Sequence, residues 1–308
     1  MSKRHIAPLA ACIALAVPAS ASAHARTPTV ALDYRLVLDR VTQTLPGVDV
    51  VILDGDRDIR LDVSRGKVIV LGDLGEQMLR IGTDGTYANA ASPTAAAERL
   101  VSPGTGWRRV GGASFAWHDH RLSPPPYSTT PGPAGRFAIP ALVNGQRVAF
   151  RGTFVRTARP SAWPWLVGCL VATSALVALL WVRPRRRPML ALVTGSVAVA
   201  AALTALVTFN AADAPNGRVA WAQIVLGCVL AAVGAAGLIK LHGELRTVLA
   251  GVLGIAAAVS SIGSLGVYRH GVVVSLLSPG LARLVAAIAI CAGLAAAATL
   301  FVREGAAT

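Results

Sequence analysis

The sequence predicts an exported all-β domain, folded as an antiparallel β-sandwich, followed by an all-α bundle of five transmembrane helices. Three observations carry this reading. The first residues have the form of a secretion signal, the apolar pattern of residues 24–160 repeats at every second position, and residues 161–308 are largely long uncharged runs.

Lys3 and Arg4 precede an apolar run from Ile6 to Ala16, and Ala21, Ser22 and Ala23 supply the small residues that a signal peptidase accepts. Residues 1–23 therefore read as a signal peptide. Its apolar run is short for a membrane span and is broken by Pro8 and Pro18, so the mature chain is expected to begin at His24.

Residues 24–160 are long enough for one core. Val30, Leu32, Tyr34, Leu36 and Leu38 alternate with mostly polar neighbours; Val48 to Leu53 and Ile59 to Val63 flank the turn residues Asp54, Gly55 and Asp56; Lys67 to Leu71 follows Arg65 and Gly66. Further strands are expected at Gln77 to Ile81, Ser114 to His120, Phe137 to Ile139 and Arg147 to Val155, the last following Asn144 and Gly145. Seven or eight short strands with turn punctuation predict the sandwich. The proline-rich stretch Ser123 to Gly135 reads as a long surface loop.

The first span, about residues 163–182, enters through Trp163, Pro164 and Trp165 and closes on Arg183, Pro184, Arg185, Arg186 and Arg187. An aromatic collar at one end and an arginine cluster at the other define a bilayer helix with its basic end in the cytoplasm. Hydropathy places four more spans at about 189–209, 219–239, 248–267 and 281–302. Arg183 to Arg187, Lys240 to Arg246 and Arg303 then fall on the cytoplasmic side, and Arg218, Arg269 and Arg283 outside. This predicts a multi-pass plasma-membrane protein with its N-terminal domain extracytoplasmic and its C-terminus cytoplasmic. Val272 to Leu277 fits either the outer interface or an extension of the fifth helix. The spans are rich in alanine and glycine, as close packing in lipid requires; Gln223, Ser260 and Ser261 are read as hydrogen bonds between helices, and no helix is expected to be broken.

The net charge of +14 divides unevenly: +2 lies in the signal segment, +5 in residues 24–162 (17 basic against 12 acidic side chains) and +7 in the remainder (10 against 3). Basic residues flanking spans account for much of this excess, so the expected partners are the lipid bilayer and an envelope or membrane protein, and no nucleic acid. Of the four cysteines, Cys12 is in the signal segment and Cys169, Cys228 and Cys291 are in apolar spans. The exported domain has no thiol for a disulfide or a thiolate metal site.

Chemistry concentrates in Phe115, Ala116, Trp117, His118, Asp119, His120 and Arg121. In a strand, His118 and His120 would share one face, with Asp119 and Arg121 on the other. Two histidines do not complete a metal site, but His24 can add its amine and imidazole if cleavage makes it the first residue, a nitrogen set suited to copper as Cu(II). The other readings are a hydrogen-bonded network of the histidines and Asp119 beside Trp117, and a docking surface. Glu76 and Arg80, four apart, lie on one strand face too far apart to pair directly, and Asp84 reads as a turn residue. No catalytic residue is assigned, because no enzyme motif occurs and no second carboxylate has a reason to share a cleft with Glu76.

Gly72, Gly75, Glu76, Leu79, Arg80, Ile81, Asp84, Gly85, Asn89, Ser92, Pro93, Trp107, the Trp117, His118, Asp119, His120, Arg121 run, Gly145 and Gly152 together resemble an uncharacterised family of actinobacterial membrane proteins. The resemblance covers most of the exported domain and implies its organisation: a secretion signal, a β-rich domain with the Trp-His-Asp-His-Arg motif, and C-terminal spans. It implies no activity. This chain departs from the family in having Gln77 and Met78 where members have Pro and Tyr, and Ser123 where members have a further His.

Two functions follow as expectations. One is a membrane-anchored binding or scaffold module whose exported domain meets an envelope partner. The other is a copper-binding or copper-handling membrane protein using His24, His118 and His120.

Overall fold

Short alternating segments become strands because each can bury one face while its backbone pairs with neighbours. The computed structural model describes residues 31–53, 58–125, 130–213 and 221–301. The predicted signal segment, His24, the turn Asp54, Gly55 and Asp56, and Arg218 and Arg303 lie outside these residues. The chain divides into two units, one of Leu32–Arg159 and one formed mainly by the residues from Pro160 onward.

The first unit is antiparallel and β-rich. After a two-residue strand β1 (Ala31–Leu32) come β2 (Tyr34–Leu38), the short helix α1 (Arg40–Gln43), β3 (Val48–Leu53), β4 (Asp58–Val63), β5 (Lys67–Leu71), β6 (Gln77–Gly82) and β7 (Gly85–Asn89). Helix α2 (Pro93–Ala97), β8 (Trp107–Gly111), β9 (Ser114–His118), a 3₁₀ turn at His120–Leu122, β10 (Gly132–Val143) and β11 (Gln146–Arg156) complete it. Seven strands form one sheet in the order β2-β11-β10-β5-β6-β7-β8, and three form another in the order β3-β4-β9.

Both sheets contribute to one hydrophobic cluster. Ile59 and Leu61 from the smaller sheet join Val68, Val70, Leu79, Ile81, Ile139 and Phe150 from the larger, all fully buried. Each such aliphatic or aromatic side chain contributes about 1.5 to 3 kcal/mol by leaving water. Trp117, 2% exposed, belongs to the same cluster.

Several elements differ from the sequence expectation. The last strands form a long hairpin, with Val143 paired to Gln146 and Gly132 to Arg156, so residues 132–135 are strand and not loop. Its tight turn uses Asn144 and Gly145, both at positive φ (51° and 85°), a conformation that matches the twist of paired strands. Strands β7 and β8 were not expected, and strand β9 stops at His118, two residues early.

The second unit is helical: α3 (Trp163–Val182), α4 (Arg187–Asp213), α5 (Trp221–Lys240), α6 (Glu244–Ser260) and α7 (Pro279–Ala298). Four helices are long and apolar enough to cross a membrane, and α6 with the 3₁₀ segment Ile262–Tyr268 makes a fifth if that bent pair is one span. The break corrects the expectation of unbroken helices: the two parts meet at 53°. The hydroxyls of Ser260 and Ser261 both donate to the Ala257 carbonyl, at 3.0 and 2.8 Å, within their own helix and not between helices. Such bonds compete with the backbone ladder and bend helices. Beyond the break, Arg283 of α7 donates to the Val267 and His270 carbonyls at 2.8 and 3.3 Å, satisfying groups the bend releases.

Gln223 is exposed on α5. Val272 to Leu277 does not extend a helix, since α7 begins at Pro279, and Val273 packs beside Ala282 and Ala286. Helices α6 and α7 approach through small residues: a Cβ added at Gly254 would stand 2.5 Å from the Gly293 carbonyl oxygen.

Candidate functional site

The Trp-His-Asp-His-Arg run leaves strand β9 at Asp119, whose extended backbone precedes the 3₁₀ turn. The Asp119 carboxylate starts that turn by accepting the Arg121 backbone N–H at 3.1 Å. Trp117 and Asp119, two residues apart, both face inward, and the Trp117 indole N–H donates to Asp119 Oδ2 at 3.1 Å. Arg121 folds back so that Nε and Nη2 donate to the two carboxylate oxygens, each at 2.7 Å, while its Nη1 donates to the Leu71 carbonyl at 2.9 Å. Paired forks of this kind are the strongest carboxylate contacts available.

Burial by itself would raise the Asp119 carboxyl, but the Arg121 fork, its charge and the Trp117 N–H outweigh it and hold the group below the usual carboxylate range. Arg121 is raised in turn: Asp119 overcomes the burial that opposes its charge.

Because the chain turns at Asp119, the strand alternation does not reach His120, and the two histidines turn to different partners. His118 pairs with Asp58 of the adjacent strand, Nδ1 to Oδ1 3.2 Å. The His120 ring lies between two other carboxylates, with Nδ1 2.5 Å from Glu98 and Nε2 3.1 Å from Asp73. Its backbone N–H also donates to Glu98 at 3.0 Å. The Glu98 hydrogen bond, assisted by the charges of Asp73, Glu98 and Asp119, raises the His120 imidazole against the smaller opposing effect of burial.

Asp73 belongs to a second tight element, the connection from β5 to β6. Glu76 turns its carboxylate back across it: Oε1 accepts from the Ser92 hydroxyl at 2.7 Å and the Thr94 N–H at 3.3 Å, and Oε2 accepts from the Leu74 N–H at 3.1 Å. Burial opposes the charge, but the bonds from Ser92 and Thr94 prevail and lower the group to about 2. A Cβ at residue 72 would lie 2.2 Å from Glu76 Oε1, so a larger residue there would push that carboxylate out of its place. Ser92 also caps α2, accepting from the Ala95 N–H at 3.0 Å.

Arg80 and Glu76 do not pair. Arg80 lies over the Tyr87 ring, 4.3 Å from its centroid, near Trp107 at 5.7 Å, with Asp84 3.8 Å away in the following turn. The motif residues therefore form one connected clamp: Glu76 fixes the β5–β6 connection to α2, and Glu98, just past α2, joins Asp73 in fixing His120. Sequence reasoning singled out Glu76, Trp117, His118, Asp119, His120 and Arg121 but missed Asp58, Asp73 and Glu98. No local pattern marks Glu98: it closes a helix capped at Ser92, and its partner His120 lies 22 residues on.

Glu98, Asp119 and His120 bring one donor atom each within 4.8 Å of one another, the spacing of a metal set. Their chemistry fits a salt bridge better. Both Asp119 oxygens already serve the Arg121 cation, and the Glu98 oxygen nearest His120 is its hydrogen-bond acceptor. A copper ion on His120 would displace Glu98 or Asp73 from its ring, His118 meets Asp58 through Nδ1, and His24, the third expected ligand, lies outside the described residues. Comparison with protein-family models, curated proteins and solved structures gives no match.

Proposed function

We propose that the chain is a multi-pass membrane protein of the cell envelope whose β domain stands outside the cytoplasm and works as a binding or scaffold module for an envelope partner. The observation supporting this is the closure of the motif network. Asp119, Arg121, Glu76, His118 and His120 are all engaged by neighbouring groups, so the chemically versatile side chains stiffen loops, and the domain's outer surfaces are left to meet a partner. Two sheets with one shared core support reading the domain as a sandwich. Counting the bent helix as a span gives five, with the arginines at 183 to 187 cytoplasmic and the C-terminus on the same side.

The test is site-directed labelling in intact cells. A membrane-impermeant maleimide should reach Ser64→Cys without permeabilisation and Arg186→Cys only after it. A photo-crosslinking residue at exposed Ser114 or Ala138, one on each sheet, should then give a discrete adduct. A reversed labelling pattern, or no adduct from either sheet, would overturn the reading.

A further inference from the structure

The seven strands of the larger sheet carry nine basic residues and no acidic one. The smaller sheet has the opposite balance, Asp49, Asp58 and Asp62 against Arg60. Alternation then sorts the larger sheet's cations. Arg35, Lys67, Arg80, Arg109, Arg136, Arg147 and Arg151 alternate with core residues and so project from the face turned away from the core. All are exposed except Arg80, which is half-buried.

Register places three of this set, Arg147, Arg80 and Arg109, on one line across the sheet, with uncharged residues between them. Arg147 pairs with Leu142, Leu142 with Ile69, Ile69 with Arg80, Arg80 with Tyr87 and Tyr87 with Arg109. Five inter-strand steps make this row about 24 Å long. Arg80 is held in it by the Tyr87 ring, so its guanidinium is positioned before any ligand arrives. Arg136 and Arg151 lie diagonally across the β10–β11 pair, since Arg151 faces Ala138 and Arg136 faces Thr153.

Among the described residues, only Arg80 of the seven enters an ion pair, with Asp84. Like charges gathered on a sheet face without counter-charges weaken the fold, and an anionic partner removes that cost. We propose that this face binds an extended anionic polymer of the envelope, one bearing phosphate or carboxylate groups along its chain. The proposal rests on the reading of the domain as an exported binding module and names its partner's chemistry. Guanidinium forks match both kinds of anion, and a row of spaced cations matches a chain with repeating charge better than a single small anion.

A lipid headgroup layer is the competing occupant. Headgroups and polymer share the same anionic chemistry, and the lipid arm of the experiment separates them. A polymer can follow the row.

The experiment uses the full chain in nanodiscs of neutral lipid, with long-chain inorganic polyphosphate and polygalacturonate as probes across a salt series. Binding of either probe is expected, weakening linearly in log affinity against log salt. The triple variant Arg136→Gln, Arg147→Gln, Arg151→Gln should lose at least about tenfold in affinity and flatten the slope by about 2. Arg65→Gln with Arg99→Gln, exposed but outside these strands, should match the parent. Failure of both probes at low salt, or a triple variant that binds like the parent, overturns the proposal. So does loss of parent binding when the nanodisc lipid is made anionic, which would assign the face to headgroups. Polymer failure alongside external labelling at Ser64→Cys would leave the exported-module reading standing.

Discussion

Asp119→Asn tests whether the motif clamps the domain. Asn keeps the shape and can still accept from Trp117, but it removes the charge facing Arg121. The Asp119 side chain is 1% exposed and that of Arg121 15%, so the variant leaves a guanidinium largely out of water with the Leu71 carbonyl and Asp73, 4.0 Å away, as remaining partners. Removing one member of a buried pair costs about 3 to 5 kcal/mol. Residual solvent contact and Asp73 place this case near 3 kcal/mol, about two decades in the folding equilibrium.

The assay is urea unfolding of residues 24–160, followed by tryptophan fluorescence. At a slope of about 1.5 to 2 kcal/mol per molar for a small domain, the midpoint should fall by roughly 1.5 to 2 M. Adding Arg121→Met should recover part of the loss, because it removes the stranded charge. The pH dependence has a definite sign. Asp119 is lowered in the folded state, so its contribution is complete above its unfolded value and disappears as pH falls through the folded one. A single variant within about 0.5 kcal/mol of the parent at neutral pH would refute the clamp.

Three further outcomes are expected. His120 is raised in the folded domain, so His120→Gln should be least stable relative to the parent below about pH 6.5, the two converging as pH rises through the folded value; a constant difference to pH 9 would contradict the Glu98 and Asp73 contacts. Glu76 is lowered to about 2, so the parent's advantage over Glu76→Gln should be full above about pH 4.5 and shrink toward pH 2, measured by thermal unfolding. For the copper set of His24, His118 and His120, Cu(II) titration should give equal and weak binding with or without an extra residue before His24, since carboxylates face both nitrogens of the His120 ring; a marked loss on extension would establish the amine as a ligand.

Strands and long apolar helices were legible where one physical signal dominated. Alternation found β5 and β6, and hydropathy matched α3 to its residue limits, because burial of one face and transfer into lipid outweigh local detail. Strands β7 and β8 were missed for an identifiable reason: in Gly85–Asn89 only Thr86 and Ala88 mark the core face, and in Trp107–Gly111 two adjacent arginines hide the alternation. The helix break left a clue in Ser260, Ser261, Gly263 and Gly266, but the capping role of Arg283 depends on a fold-back from a different helix. The site was half legible. The motif's own residues stood out, whereas Asp58 lies 60 residues from His118, a gap the β4–β9 register closes, and Glu98 lies 22 from His120, a gap closed where the end of α2 meets the 3₁₀ turn.

The acids and bases of the β domain are used differently, and this links the clamp to the exposed face. Asp33, Asp58, Asp62, Asp73, Asp84, Glu98 and Asp119 each face a basic side chain, and Glu76 is held by hydroxyl and amide donors. With its carboxylates committed to internal contacts, the domain has few left to neutralise the arginines of the larger sheet. Simple solubility would be met by mixed charges on both sheets. Gathering cations on one face, all but Arg80 outside any ion pair among the described residues, with the acids drawn into turns and the smaller sheet, sets up a field of one sign, and such a field favours an anionic partner.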